Sequence, residues 1–237
     1  LNDLAAINQS VKEHGEALII VDAVTSLGAV SIPIDELGLD VVGSGSQKGY
    51  MIPPGLAFVS VSAKAWKAYE SAKCPRFYLD LKKYKKATDE DSSPFTPPIN
   101  LMYGLQAALQ MMQAEGLESI FARHQRHTEA TRAAMKALGL PLFAPDNAAS
   151  PAITAVAPLT VDAEQIRSTM RKKFDVALAG GQDHLKGKIF RIGHLGFVCD
   201  RDILSCVGAL ESTLQSLGYS DVQPSSGIAA AAKVFAN

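Results

Sequence analysis

The sequence predicts an α/β architecture: part of a mostly parallel-sheet large domain, followed by a smaller C-terminal α+β domain. Three observations carry this reading. Ala17-Leu18-Ile19-Ile20-Val21 is a continuous apolar run with β-branched residues, closed by Asp22, and such a run fits a strand buried on both faces of a helix-covered parallel sheet. Two more short runs, Leu39 to Val42 and Leu56 to Val61, follow with brief connections, as in an α/β layer. After Pro141 the pattern changes to short alternating elements.

Taken in order, Leu4 to Glu13 has helical spacing, with Leu4, Ile7 and Val11 on one side, and His14-Gly15 stops it. The first apolar run comes next. The second ends in Gly43-Ser44-Gly45-Ser46-Gln47-Lys48-Gly49, and Pro53-Pro54-Gly55 introduces the third. Residues Lys73 to Pro98 are polar and proline-bearing and read as a long irregular surface excursion. Leu101 to Gln113 and Leu117 to Leu138 are helical stretches that together bridge two domains. Ile153 to Ala157 reads as a strand, Asp162 to Lys173 as a helix, and Lys188 to Ile192 as a strand. Asp200 to Leu217 is a helix with an acidic first turn. The Ser-, Gly- and Ala-rich end carries no structural signal. The division expected is 1–116 for the large-domain portion, 117–220 for the small domain and 221–237 for a flexible tail.

Of the 237 residues, 47% are hydrophobic and 20% charged, and the net charge is −1, which describes a globular chain with enough apolar material for a substantial core. No basic run stands ready to neutralise phosphates, so nucleic acid is not an expected partner. Lys82, Lys83, Lys85 and Lys86 are followed at once by Asp89, Glu90 and Asp91, the pattern of a solvated loop. Cys74, Cys199 and Cys206 form no CxxC pair, so neither a disulfide framework nor a metal site is signalled, and a reducing compartment, the cytoplasm, is expected. No apolar run reaches the roughly 20 residues of a membrane span, and the start has no signal pattern. It has no initiating Met and opens within a helical pattern, so a fragment or processed product is expected.

Two positions carry the chemistry. Asp22 ends a buried strand, on the side of an open α/β sheet where ligands bind. Lys48 sits in a Gly/Ser loop past the next strand, among apolar and proline residues. Each alone reads as a surface charge. Together they meet a chemical requirement. A carboxylate facing a pyridine nitrogen keeps it protonated and makes the ring an electron sink, and a lysine beyond it supplies a nucleophilic amine.

The string VDAVTSLGAVSIPIDELGLDVVGSGSQKGYMIPPG resembles the cofactor segment of class V, fold type I aminotransferases, closest to the alanine– and serine–glyoxylate aminotransferases. The resemblance runs over almost the whole chain and ends before the tail. It implies pyridoxal 5'-phosphate (PLP) as cofactor and a Schiff base on Lys48, which also shuttles the proton. Asp22 pairs with the pyridine nitrogen, Val24 packs on one ring face and Gln47 bonds the phosphate. Thr96 reads on its own as a helix-flanking residue before Pro97, while the resemblance gives it the phosphate of a neighbouring subunit's cofactor. In FRIGHLG, Arg191 matches the arginine that grips the substrate carboxylate, a task suited to its bidentate fork.

His194 is expected to be structural or gating, Trp66 to be packing, and His124 and His127, with Arg123 and Arg126, to form a wet helix face. The resemblance implies about 150 further residues ahead of this start, holding a phosphate loop and a stacking aromatic. The implied partners are an amino acid and a 2-oxo acid. The implied assembly is a homodimer with shared cofactor sites, or a partner chain that supplies the missing part.

The expected reaction moves an amino group from alanine or serine to glyoxylate. A class V cysteine desulfurase would need a catalytic cysteine on a mobile loop, a context none of the three cysteines offers. Cyanobacterial relatives that resemble this sequence carry the label soluble hydrogenase subunit, yet hydrogenase metals need grouped thiolates. A purely structural fragment is the remaining alternative.

Overall fold

The computed structural model of the chain describes residues 1–219 and 223–236. It divides into two compact units: one of Asp3–Val24 and Pro33–Met111, the other of Leu1–Asn2, Thr25–Ile32 and the chain from Met112 onward.

The first unit opens with helix α1 (Leu4–His14), whose N-cap Asp3 accepts a bond from Ala6 N and which ends at Gly15. Strand β1 (Ile20–Asp22), helix α2 (Ile34–Leu37), strands β2 (Val41–Gly45) and β3 (Ala57–Val61), and helices α3 (Ala63–Ser71), α4 (Leu81–Asp89) and α5 (Ile99–Glu115) follow. The sheet order is β1-β2-β3. β1 runs parallel to β2, with Asp22 opposite Gly43. β3 returns antiparallel, placing Val59 opposite Gly43 and Ala57 opposite Gly45. The β2–β3 link is too short for the helical crossover that a parallel return needs.

Two expectations are corrected here. β1 is not buried on both faces: Ile20 is 70% exposed, Asp22 is exposed, and among the described residues β1 is an edge strand paired on one side. Most of the apolar run lies before the strand, where Ile19 takes the buried place. The excursion Lys73 to Pro98 contains α4, with Asp80 as N-cap to Lys82 N. Leu81, Tyr84 and Ala87 make its inner stripe, while Lys82, Lys85 and Lys86 stay exposed. The lysines hide that stripe from a composition-based reading. Trp66 packs edge-on to Tyr69 at 5.6 Å between ring centroids, with Lys85 over its ring.

The second unit holds helix α6 (Leu117–Ala137), strand β4 (Ile153–Val156), helix α7 (Ala163–Phe174), strands β5 (Ala179–Gly180) and β6 (Phe190–Gly193), and helices α8 (Asp200–Ser216) and α9 (Ser226–Phe235). β6 is central in an antiparallel sheet, order β4-β6-β5. The core gathers Met135, Leu138, Ile166, Met170, Phe190, Leu210 and Leu214.

The expected flexible tail is corrected for 226–235, whereas 221, 222 and 237 lie outside the described residues. Ala231 is fully buried in α9, and Ile228, Val234 and Phe235 pack on the core. Buried Glu211 of α8 accepts bonds from Gly227 N at 2.6 Å and Ile228 N at 3.3 Å. A carboxylate from another helix thus caps the positive end of α9. Ser225 stands at the N-cap of α9 but makes no side-chain cap bond, so the local residues do not reveal how this end is held.

The wet helix face is corrected too. His124 and His127 are fully buried. His124 Nδ1 donates to Ile120 O at 2.7 Å, and Nε2 accepts from Gly196 N at 3.0 Å, a pairing that requires the neutral ring. Arg123 donates to Gly196 O and Val198 O and pairs with Glu115. His127 Nε2 and Arg126 both meet Asp200. This polar seam ties the segment after β6 to α6, using residues whose spacing also suits a solvated stripe.

His194 is fully buried, bonded through Nε2 to Thr154 Oγ1 at 2.9 Å. Burial, with His127 and His124 acting the same way, pushes its pKa down to about 4. The unfolded chain takes up that proton near the ordinary value of 6.5. Stability is therefore present above pH 6.5 and lost as pH falls toward 4, by about 3 kcal/mol from this ring. Urea unfolding at pH 7 and pH 4 should show the loss, and His194→Gln should reduce it by about that amount. An unchanged pH slope in the variant would refute the assignment.

Candidate active site

The parallel register places the candidate residues of the first unit. Asp22 ends β1, and its Oδ1 accepts a bond from Val24 N at 3.0 Å, turning the chain at that point. The intervening Ala23 is fully buried and donates to Gly43 O at 2.9 Å. Partners across a sheet share a face, so the carboxylate adjoins Gly43, a strand position with no side chain. A methyl built on Gly43 would meet nothing within 4 Å, whereas one on Gly45 would lie 2.9 Å from Gln47 Oε1. Gln47 therefore lies folded against Gly45, and open space adjoins the Asp22–Gly43 row.

Lys48 sits half-buried in the turn that leaves β2. The turn is fastened by Ser46, which is fully buried. Ser46 Oγ donates to Pro53 O at 2.8 Å and accepts from Leu56 N at 3.2 Å. Its backbone N donates to Leu56 O, and its carbonyl accepts from Ile52 N. Met51 N closes the turn on Lys48 O at 3.0 Å, with Met51 at φ 63, a left-handed conformation uncommon for a residue with a side chain. The Tyr50 ring packs on Phe58 at 4.6 Å, and burial pushes its hydroxyl pKa up. Among the described residues Lys48 makes no ion pair.

Thr96 is exposed in the stretch before α5, in the same unit. Arg191 belongs to the second unit. It is half-buried in β6, opposite Ala155 and Ala179, between buried Phe190 and Ile192 on the other face. Its Nε donates to Gly180 O at 2.8 Å, and among the described residues it forms no ion pair. The two terminal nitrogens are thus available as a fork.

Ser46 and Asp40 were not singled out in the sequence. Asp40 is buried, accepting from Ile19 N at 2.9 Å and Ser62 Oγ at 2.8 Å. An acid inside an apolar run was the available signal. Ser46 offered none beyond its place before Gln47. Chemically, the first unit offers an amine on a fastened turn and a carboxylate beside open space. The second offers a guanidinium suited to a carboxylate.

The family model described as aminotransferase class-V matches residues 1–193. A relative from a Synechococcus strain, named soluble hydrogenase, small subunit, is 71% identical over 235 residues, 99% of this chain and 61% of that protein. The L-aspartate–glyoxylate aminotransferase of Paracoccus denitrificans is 40% identical, covering 97% of this chain and 59% of that one. The crystal structure of pyridoxamine–pyruvate aminotransferase from Mesorhizobium loti superposes with a TM-score of 0.93 at 33% identity, over all of this chain and 61% of that one. The chain thus spans about three fifths of the length of these relatives, and the expected fold type I architecture is met.

Ser46→Ala should leave Leu56 N–H without its side-chain acceptor and Pro53 C=O without a donor in a buried turn. The expected cost is about 1–3 kcal/mol, read as a lower urea midpoint, with faster proteolysis within 46–56. A midpoint unchanged within error would show that the turn is held by its backbone bonds alone.

Proposed function

We propose that this chain, which belongs to the class-V aminotransferase family, is the Lys48-bearing part of an enzyme that uses PLP to move an amino group between alanine or serine and a 2-oxo acid such as glyoxylate. The observation that carries the reading is the Asp22–Gly43 register, which sets a carboxylate beside side-chain-free space on the strand that leads into the Lys48 turn.

The residues present fit the cofactor. Asp22 spends Oδ1 on Val24 N and is exposed, so its carboxylate can meet a ring nitrogen. Gly43 leaves room for a flat ring, and half-buried Val24 offers an apolar face. Gln47, held against Gly45, has an amide suited to a phosphate oxygen. When bound, the cofactor supplies an electron sink for the bonds at the substrate's α-carbon.

The chain's own residues do the rest. Lys48 Nζ would hold the cofactor until the substrate's own amine displaces it, and the amine so freed would move a proton to and from the substrate's α-carbon. Asp22 keeps a positive charge on the ring nitrogen. Arg191 binds the substrate carboxylate through its free fork, which a lysine could not replicate. Thr96 reaches the phosphate of the neighbouring subunit's cofactor in a homodimer with shared sites. In this reading 1–116 belongs to the cofactor domain, 117–220 is the small domain, and the protein works in the cytoplasm.

Two other readings find less support. A cysteine desulfurase needs a reactive thiol, yet burial pushes Cys206 up to about 11, and the exposed Cys199 Sγ faces the Asp202 carboxylate at 3.3 Å rather than a cation. A hydrogenase component needs grouped ligands. Among the described residues no three of His, Cys, Asp and Glu gather to hold a metal.

In the full-length protein, Asp22→Asn should fold and still bind PLP but lose more than tenfold in rate, above ~1.4 kcal/mol of barrier. Lys48→Ala should lose turnover altogether. The comparison is steady-state kinetics with alanine and glyoxylate. A folded Lys48→Ala protein with substantial turnover, or Asp22→Asn near the parent rate, would sink the proposal.

A further inference from the structure

Arg191 is aimed by a carbonyl on a very short strand. Its Nε donates to Gly180 O, and Gly180 belongs to β5, a two-residue strand paired through Ala179–Arg191 and Gly180–Phe190, with Gly181 N bonding Ile189 O at 3.1 Å just beyond it. So short a pairing leaves room for further support from outside the sheet.

Helix α7 supplies it. Asp162 caps it, accepting from Glu164 N at 2.7 Å and Gln165 N at 3.1 Å, which sets the first turn. One turn on, Arg167 Nη1 meets both Glu164 carboxylate oxygens, at 2.7 and 2.5 Å. Arg167 Nε donates to Leu178 O at 2.9 Å, just before β5. The ion pair lies directly on Gly180: a methyl there would stand 2.7 Å from Arg167 Nη1, 3.0 Å from its Cζ and 3.2 Å from Glu164 Oε1. Beyond β5, a methyl on Gly181 would stand 2.0 Å from Leu185 O, so the backbone is pinned there as well.

We infer that Glu164 and Arg167 are positioning residues that set the reach of the Arg191 guanidinium toward the substrate carboxylate. The inference rests on the proposed role of Arg191. The pair is partly exposed and three residues apart on one helix, a kind that contributes little to stability. Its geometric work is larger. With Nε held by Gly180 O, the plane of the guanidinium is fixed and its two terminal nitrogens stay side by side for a carboxylate. Loosening β5 lets that plane tilt, and small misplacements of a binding group weigh heavily on substrate use.

The test uses the full-length, PLP-loaded enzyme and the variants Arg167→Met, Gly180→Ala and Arg191→Met. Gly180→Ala removes no interacting group and displaces the ion pair by one methyl, so it serves where Arg167→Met folds poorly. Three quantities are measured: KM and kcat for alanine and glyoxylate, the Kd of propionate as a non-reacting carboxylate, and the melting temperature. Arg167→Met and Gly180→Ala should raise KM and the propionate Kd about tenfold, with kcat and melting temperature nearly unchanged and binding of n-propylamine, which lacks the carboxylate, unaffected. If Arg191→Met weakens propionate and the other two do not, the positioning role is refuted while the reading of Arg191 stands. If Arg191→Met itself leaves propionate binding unchanged, the reading fails and takes the inference with it. A fall in kcat and melting temperature that matches the loss of binding would mark a merely structural pair and overturn the proposal.

Discussion

A parallel pairing only three residues long places the carboxylate on which the proposed chemistry depends. It sets Asp22 opposite Gly43, and a slip of one residue would turn the carboxylate to the other face of the sheet. So short a pair cannot hold its own register. Asp40 holds it. The Asp40 carboxylate accepts from Ile19 N and Ser62 Oγ, and its backbone exchanges bonds with Ile19 O and Ser62 N. One buried residue therefore fixes the approach to β1, the start of β2 and the end of β3, while Ser62 also caps α3. Burial acts to raise the Asp40 pKa, yet its bonds from Ile19 and Ser62, with Lys64 at 3.7 Å, hold it below the usual value. The group stays ionised, as such a junction requires.

The second unit solves a similar problem with different chemistry. Its central strand carries Arg191, and the segment after that strand is tied to α6 by the buried imidazoles of His124 and His127 and by Arg123, with Asp200 accepting from His127. Neutral rings suit this place. His124 donates through one nitrogen and accepts through the other, so it satisfies two backbone groups without burying a charge. Glu211 does a comparable service for α9, where a buried carboxylate takes two backbone N–H groups that the local sequence leaves uncapped.

Much of this was legible in the residues. Helix α1 follows its apolar spacing and α8 its acidic first turn, α5, α6 and α7 fall within stretches that read as helical, and Asp22 and Lys48 stand out by their places after strands. What was not legible depends on distant partners. His124 and His127 carry the letters of a wet face, and only Gly196 and Asp200, over 70 positions away, show the two rings to be buried while Arg126 stays exposed. The Ala-rich end reads as loose until Glu211 supplies its cap. α4 hid behind its lysines, and β1 read as doubly buried because the apolar run begins before the strand does. Ser46 and Asp40 are single polar letters whose importance comes from the four or more bonds each collects on folding.

Lys48, and no other lysine, is the residue proposed to hold the cofactor. Borohydride reduction of the PLP-loaded full-length protein, followed by digestion and peptide mass spectrometry, tests it directly, because reduction makes the lysine–cofactor bond permanent. The account predicts a phosphopyridoxyl group on the peptide containing Lys48 and on no other. Labelling confined to another lysine, or no labelled peptide in protein that has bound PLP, would contradict it.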